Sequence, residues 1–236
     1  MPLFDNVSRK VKDDLTKTLR KGSRVSIAAA CFSIYAFEEL KAQLLDVSEL
    51  RFIFTAPTFV KENLPKEKRE FYIPQLQRER SLYGTEFELK LRNELSQKSI
   101  AKECADWIRE KVTFKTNISH EIMTGFVQVE GEASHTYTPI NGFTTVDLGC
   151  ERGNNLYNFV HRIETPESQQ YLDAFNEIWN DKDKLTDVTE QVMDSIANVY
   201  KENAPDFVYF MALFTVFNEF LEDLSEDVMP NVATGF

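Results

Sequence analysis

The stretch from 132 to 155, EASHTYTPINGFTTVDLGCERGNN, gathers groups suited to work on a phosphate ester. His135 opens a strand-like run, and Gly149 closes the next such run fourteen residues later. Beyond the glycine stand Arg152, Asn154, Asn155 and Asn158, whose donors, together with turn backbone, suit phosphate oxygens. A histidine can attack phosphorus, but the attack needs positive charge and donors around the phosphate oxygens. It also needs a general acid, such as a second histidine, to protonate the leaving group. Here the partners are thin. Tyr137 is a neutral donor, and no lysine occurs between Lys115 and Lys182. Arg152 could supply the charge, while the second histidine would have to come from another copy of the chain. His120 and His161 have no spaced partners, so no metal site is expected.

The elements that must position these residues can be read from periodicity. Val7, Val11, Leu15 and Leu19 recur every fourth residue, which predicts an amphipathic helix over 5–20 with Lys and Arg on its wet side. That basic face could track a nucleic-acid backbone. GSRVSIAAACF (22–32) reads as a buried strand, FEELKAQLLDV (37–47) as a helix and ELRFIFTAP (49–57) as a second strand. This order predicts a parallel βαβ unit. Residues 58–86, with Pro65 and Pro74, read as a long charged loop, where Phe71, Tyr72 and Tyr83 among cations could stack on bases. A helix follows from Phe87 to Arg109, broken near Ser96. VTFKTN (112–117), GFVQVEG (125–131), HTYTPI (135–140) and FTTVDLG (143–149) read as four strands of a meander.

After Thr165 the pattern is helical, so the expected division is an α/β domain over 1–165 and a helical extension over 166–236. Tyr171, Leu172, Phe175, Ile178 and Trp179 share one helical face. Leu185, Val188, Val192 and Ile196 share another, with Thr186 or Asp187 as the N-cap. Residues 206–223 are apolar nearly all round, but the richest run is about eleven residues. A bilayer needs about 20. Such a helix must be covered on every side, within this chain or against a partner.

Charge separates along the chain. The net charge is −11, yet the segment from Glu164 onward carries 16 acidic and 3 basic residues, and the 163 residues before it sum to +2. The first 24 residues hold 7 Lys and Arg against 3 Asp, so the acidic total leaves room for a local basic surface. The acidic end of the 206–223 helix, EDLSEDV, argues against nucleic acid at that part. Cys31, Cys104 and Cys150 form no CxxC pair, and the N-terminus lacks the apolar core of a secretion signal. A reducing cytoplasm is the expected setting, with no membrane attachment.

Spacing and context together resemble the phospholipase D superfamily. Its signature is His-x-Lys, four residues, Asp, six residues, then Gly-Ser-x-Asn. Aligned on His135, the glycine falls at Gly149, while Tyr137 stands for the lysine, Gly142 for the aspartate, Cys150 for the serine and Arg152 for the asparagine. Loss of one oxyanion-type donor lowers rate about 10²–10³-fold, so His135 reads as a vestige. Over most of its length the chain resembles bacterial proteins in which a phospholipase D-like region precedes a superfamily II, Swi/Snf-type helicase. KGSRVSIAAACFSIYAFEELK with LRFIFTAPTF, SHTYTPINGFTTVDLGCERGNNLYNFVHRIE, and KENAPDFVYFMALFTVFNEFLEDLSEDVMPNVATGF carry the likeness.

The resemblance implies an α/β fold, a mixed sheet flanked by helices, followed by an all-helical connector through 206–236 to a helicase motor. The final ATGF falls where the motor's first motifs are expected, and no GxxxxGK[ST] occurs. ATP and magnesium would therefore belong to the motor, with no cofactor held here. The implied role is a non-catalytic accessory domain positioning DNA or RNA or docking on the motor. Two alternatives remain at this point: a divergent nuclease whose homodimer joins two His135 residues, and a regulatory interaction module.

Overall fold

The computed structural model describes residues 2–56, 86–119, 121–152 and 158–201. Its strands are β1 (Leu3–Phe4), β2 (Arg24–Ala29), β3 (Glu49–Phe54), β4 (Val112–Asn117), β5 (Phe126–Glu130), β6 (Ser134–Thr138), β7 (Val160–Glu164) and β8 (Leu185–Asp187). The helices are α1 (Val11–Thr18), α2 (Ile34–Leu44), α3 (Glu86–Lys111), α4 (Glu167–Asn180) and α5 (Thr189–Lys201). All eight strands join one mixed sheet of order β1-β7-β6-β5-β2-β3-β4-β8.

β2 is buried at every residue after Arg24, so it must be covered on both faces. It meets β3 in parallel, Val25 opposite Leu50 and Ala29 opposite Phe54. On its other side β5 runs antiparallel, with Val25 opposite Val129. β2 is thus the seam between a parallel half, β2-β3-β4, and an antiparallel meander, β5-β6-β7. The expected βαβ unit and the α/β class with flanking helices are present.

Alternation along the strands builds two cores. Val25, Ile27, Leu50, Phe52, Phe54, Phe114, Val127 and Val129 share a core with residues of α1, α2, α3 and α5. Phe32 seats its edge on Phe52 and Phe114, ring centroids 5.8 and 5.3 Å away. On the other face Ala28, Ile53 and Phe126 pack with Phe175 of α4 and with Leu185. Two cations lie under this helix. Arg51 donates to Asn176 and Ser26 at 2.8 and 2.9 Å, and its guanidinium stands 5.0 Å from the Phe175 ring centroid. Lys115 lies 4.5 Å from the Trp179 ring centroid and donates to the Trp179 carbonyl. Aromatic faces and amide or hydroxyl oxygens replace the water these charges give up.

Several expectations change. The helix expected over 5–20 begins only at Val11. Asp5 Oδ1 accepts from the backbone N–H of Val7, Ser8 and Arg9, and Asn6 adopts φ 55°, which folds the chain into a turn instead. Val7 is consequently 60% exposed. α3 runs unbroken through Ser96, a stretch with neither glycine nor proline to stop it. α2 starts at Ile34, ahead of the expected Phe37, because Ser33 Oγ caps it by accepting from Tyr35 N–H.

The segment 143–149 is not a strand. Leu148 N–H donates to Thr144 O, Gly149 N–H to Val146 O and Cys150 N–H to Thr145 O, closing it into consecutive turns. The meander takes VHRIE, β7, in its place, and β4 pairs with β3 rather than with β5. β8 arises inside the stretch read as helical: Leu185–Asp187 pair antiparallel with β4, and α5 starts after them. Of the loop expected over 58–86, all but Glu86, which begins α3, lies outside the described residues, as do His120 and the 206–236 segment expected to meet a helicase motor.

Candidate functional site

β6, β7 and α1 bring the candidate histidine into a polar cluster. Strand alternation points His135 and Tyr137 to the same face. Register on β7 sets Glu164 opposite His135 and Arg162 opposite Tyr137. α1 contributes Asp14 and Thr18, one helical turn apart and therefore on one side. Tyr137 is fully buried; its hydroxyl donates to Asp14 Oδ2 at 2.8 Å and lies 2.9 Å from Thr18 Oγ1. Arg162 Nη1 reaches both Asp14 oxygens, and Nη2 donates to Glu164 Oε1 at 2.6 Å.

One cation faces two carboxylates in this cluster. Burial works against the Arg162 cation, but its hydrogen bonds to Asp14 and Glu164 outweigh that and hold it firmly protonated. The bond from Arg162 holds the Glu164 carboxyl below its usual range. Burial pushes the Tyr137 phenol far above its ordinary value, so it stays a neutral donor. His135 shifts down, first through burial and then through the Arg162 charge, against the opposite pull of Glu164 and Asp14. Its Nδ1 is buried with no hydrogen-bond partner.

This arrangement is poor for phosphoryl transfer. A nucleophilic imidazole is held by an acceptor on its second nitrogen, and His135 Nδ1 has none. The neighbouring cation is engaged by two carboxylates, which would repel a phosphate. Tyr137 has its hydroxyl committed to Asp14 and Thr18.

Arg152 lies elsewhere. His135 pairs with Val129, which is level with Val25 near the start of β2. The 139–151 segment instead bonds to the chain beyond the end of β2, through Ala30 N–H to Asn141 O, Phe143 N–H to Cys31 O and Ser33 N–H to Phe143 O. Arg152 follows that segment, exposed, at the opposite end of the sheet from His135. Asn154 and Asn155 lie outside the described residues. Near this end Cys31 is pushed up to about 11 by burial and by the Asp147 charge, so it is a thiol and not a nucleophile at neutral pH. Among the described residues no group of three His, Cys, Asp or Glu could hold a metal ion.

Gly149 has a steric duty. Its φ is +77°, and a Cβ there would lie 2.7 Å from Asn6 Oδ1. Asn6 in turn donates to Asp147 O and accepts from Val11 N–H, which seats the start of α1 on the 144–150 turns. Gly149 therefore lets the N-terminal segment fasten onto the 144–150 turns.

A cleft that no motif announced lies at the end of the sheet nearer His135. The connection from α1 to β2 brings Arg20, Lys21 and Arg24, the β5–β6 turn brings Glu130 and Glu132, and the space between is about 810 Å³. Arg24 pairs with Glu49 and stands 3.9 Å from Glu130. Among the described residues Arg20, Lys21 and Glu132 make no ion pair. The basic N-terminus was legible as composition; its meeting with the β5–β6 turn depends on β2–β5 pairing between residues a hundred positions apart.

Comparison with models of protein families finds no match to this chain, and comparison with curated proteins finds none. No helix among the described residues is long and apolar enough to cross a membrane.

Proposed function

We propose that this chain is a non-catalytic nucleic-acid-positioning domain that works with a helicase motor in the cytoplasm. One observation carries the nucleic-acid part. Arg9, Lys10, Lys17, Arg20 and Lys21 make no ion pair with any described acidic side chain, and all lie on or beside α1. Six other cations are held in ion pairs: Lys12 by Glu39, Arg24 by Glu49, Lys41 by Glu103, Arg109 by Asp106, Arg162 by Asp14 and Lys184 by Glu121. A run of uncompensated cations on one element is the electrostatic footprint of a polyanion partner. The association with a superfamily II motor rests on the sequence resemblance alone; ATP and magnesium belong to that motor, and 206–236 is the stretch expected to reach it. Arg152 is a second, isolated cation at the far end of the sheet.

The test is binding of the full chain to labelled single- and double-stranded DNA and RNA across a salt series. Each phosphate contact removed should lower the salt slope by about 1. Lys17→Ala/Arg20→Ala/Lys21→Ala should weaken binding and flatten the slope, and Arg152→Ala should change it less. Absence of salt-sensitive binding to all four substrates would overturn the reading in favour of a protein-docking module.

A further inference from the structure

The cleft between the α1–β2 connection and the β5–β6 turn carries charge of both signs, contributed by different connections. Arg20 and Lys21 supply two uncompensated cations, and Glu132 supplies an uncompensated carboxylate from the neighbouring hairpin. Both cations and the carboxylate are exposed. The rest of the lining is Arg24 and Glu130, 3.9 Å apart, with small residues: Gly22, at φ +81°, has nothing within 4 Å of where a Cβ would stand, and the exposed Ser48 borders it. A ligand that fits must carry an anion at one end and hydrogen-bond donors at the other. A polyanion without donors would meet Glu132 with repulsion.

We infer that this cleft holds one unpaired guanine of a single-stranded nucleic acid, its phosphate on Arg20 and Lys21 and its Watson–Crick edge on Glu132. This rests on the nucleic-acid reading above and names the base that reading leaves open. An ionised carboxylate only accepts hydrogen bonds and can take two in parallel. Guanine alone among the common bases presents two adjacent donors, N1–H and the N2 amino group. Adenine and cytosine place an acceptor nitrogen beside their amino donor, and thymine or uracil flanks its single N–H with two carbonyl oxygens. Each of these would set an acceptor against Glu132. In a duplex the guanine edge is already paired to cytosine, so the selection applies to single strands. Arg20 adds a planar guanidinium on which a base can stack.

The experiment uses the full chain and fluorescence anisotropy with labelled oligothymidylate, the same strand with guanines inserted, and the same strand with inosines in their place. Inosine keeps N1–H and lacks the N2 amino group. The guanine strand should bind about tenfold more tightly than the thymidine strand, within the range for a two-bond base contact, and the inosine strand should lose most of that gain. Glu132→Gln, an exposed turn substitution, should erase the guanine preference and raise the affinity for oligothymidylate, because the carboxylate that repels that strand is gone. Arg20→Ala/Lys21→Ala should weaken all three strands alike. Circular dichroism of each variant controls for folding. Salt-sensitive binding that ignores base identity, or a preference that survives Glu132→Gln, would overturn the guanine assignment and leave the positioning role standing. No binding of any strand at low salt would overturn both.

Discussion

Arg162 Nη1 lies 2.9 and 2.8 Å from the two carboxylate oxygens of Asp14, a residue 148 positions earlier. The contact fastens α1 to the antiparallel half of the sheet, and Tyr137 completes it by donating to the same carboxylate. With exposures of 19% and 16%, both side chains are largely withdrawn from water. Removing Asp14 leaves Arg162 only the exposed Glu164, and removing Arg162 leaves the Asp14 carboxylate without its cation, so Asp14→Leu or Arg162→Met alone should lower unfolding free energy by about 3 kcal/mol. The double substitution should lose far less than the sum of the two. Urea denaturation of the four chains gives the coupling directly.

His135 predicts a pH effect whose sign follows from its environment. Its folded value is lowered, by burial first and Arg162 second, so the native state disfavours the protonated ring. The stability this contributes is fully present above the unfolded value of about 6.5 and is lost as pH falls through the lowered folded value. The urea midpoint should therefore fall between pH 7.5 and 5.5. In His135→Gln the decline over that window should be shallower. Equal declines in the two proteins would show that His135 titrates as it does in the unfolded chain.

Gly149→Ala should destabilise by about 1–2 kcal/mol from the left-handed backbone alone, with a further loss from the contact at Asn6 Oδ1. Asn6→Ala in the same background should remove the contact with Asn6 Oδ1 but neither the 3.0 Å approach of the Asn6 Cβ nor the backbone strain, while losing the bonds to Asp147 O and Val11 N–H. Thermal unfolding of the two singles and the double separates these effects.

No strand cleavage is expected from this chain. The cation next to His135 is already neutralised and the imidazole lacks an orienting acceptor. Incubation with supercoiled plasmid, single-stranded oligonucleotides and a phosphodiester ester substrate should give the same background rate for wild type, His135→Ala and Tyr137→Phe. Tyr137→Phe should instead show up in stability, by about 1–3 kcal/mol, since its hydroxyl serves a charged acceptor. A rate that vanished only in His135→Ala would revive the dimeric nuclease.

Local pattern made part of the fold legible. The βαβ unit followed from apolar runs separated by a helical period, and β4 was read to its residue because VTFKTN alternates cleanly. β7 escaped because VHRIE keeps only Val160 buried and leaves the rest partly exposed, so no apolar stripe marks it. β8 has three residues, too few for a period, and its existence depends on β4 needing a neighbour. FTTVDLG alternates like a strand, but Thr144 and Asp147 bond to each other and close a turn. At the candidate site, His135 could be singled out by type and spacing. Asp14, Arg162 and Glu164 could not, since the relation among them is one of register and helix placement.

Both margins of the sheet are short: β1 has two residues and β8 has three. Each leaves only a few backbone amides and carbonyls facing outward, so a second strand laid alongside would gain few ladder bonds. The body is therefore badly built for growth by edge pairing, whether with its own copies or with an extended peptide. Among the described residues, the sheet offers another chain little backbone to extend, and side-chain surfaces and helices offer more.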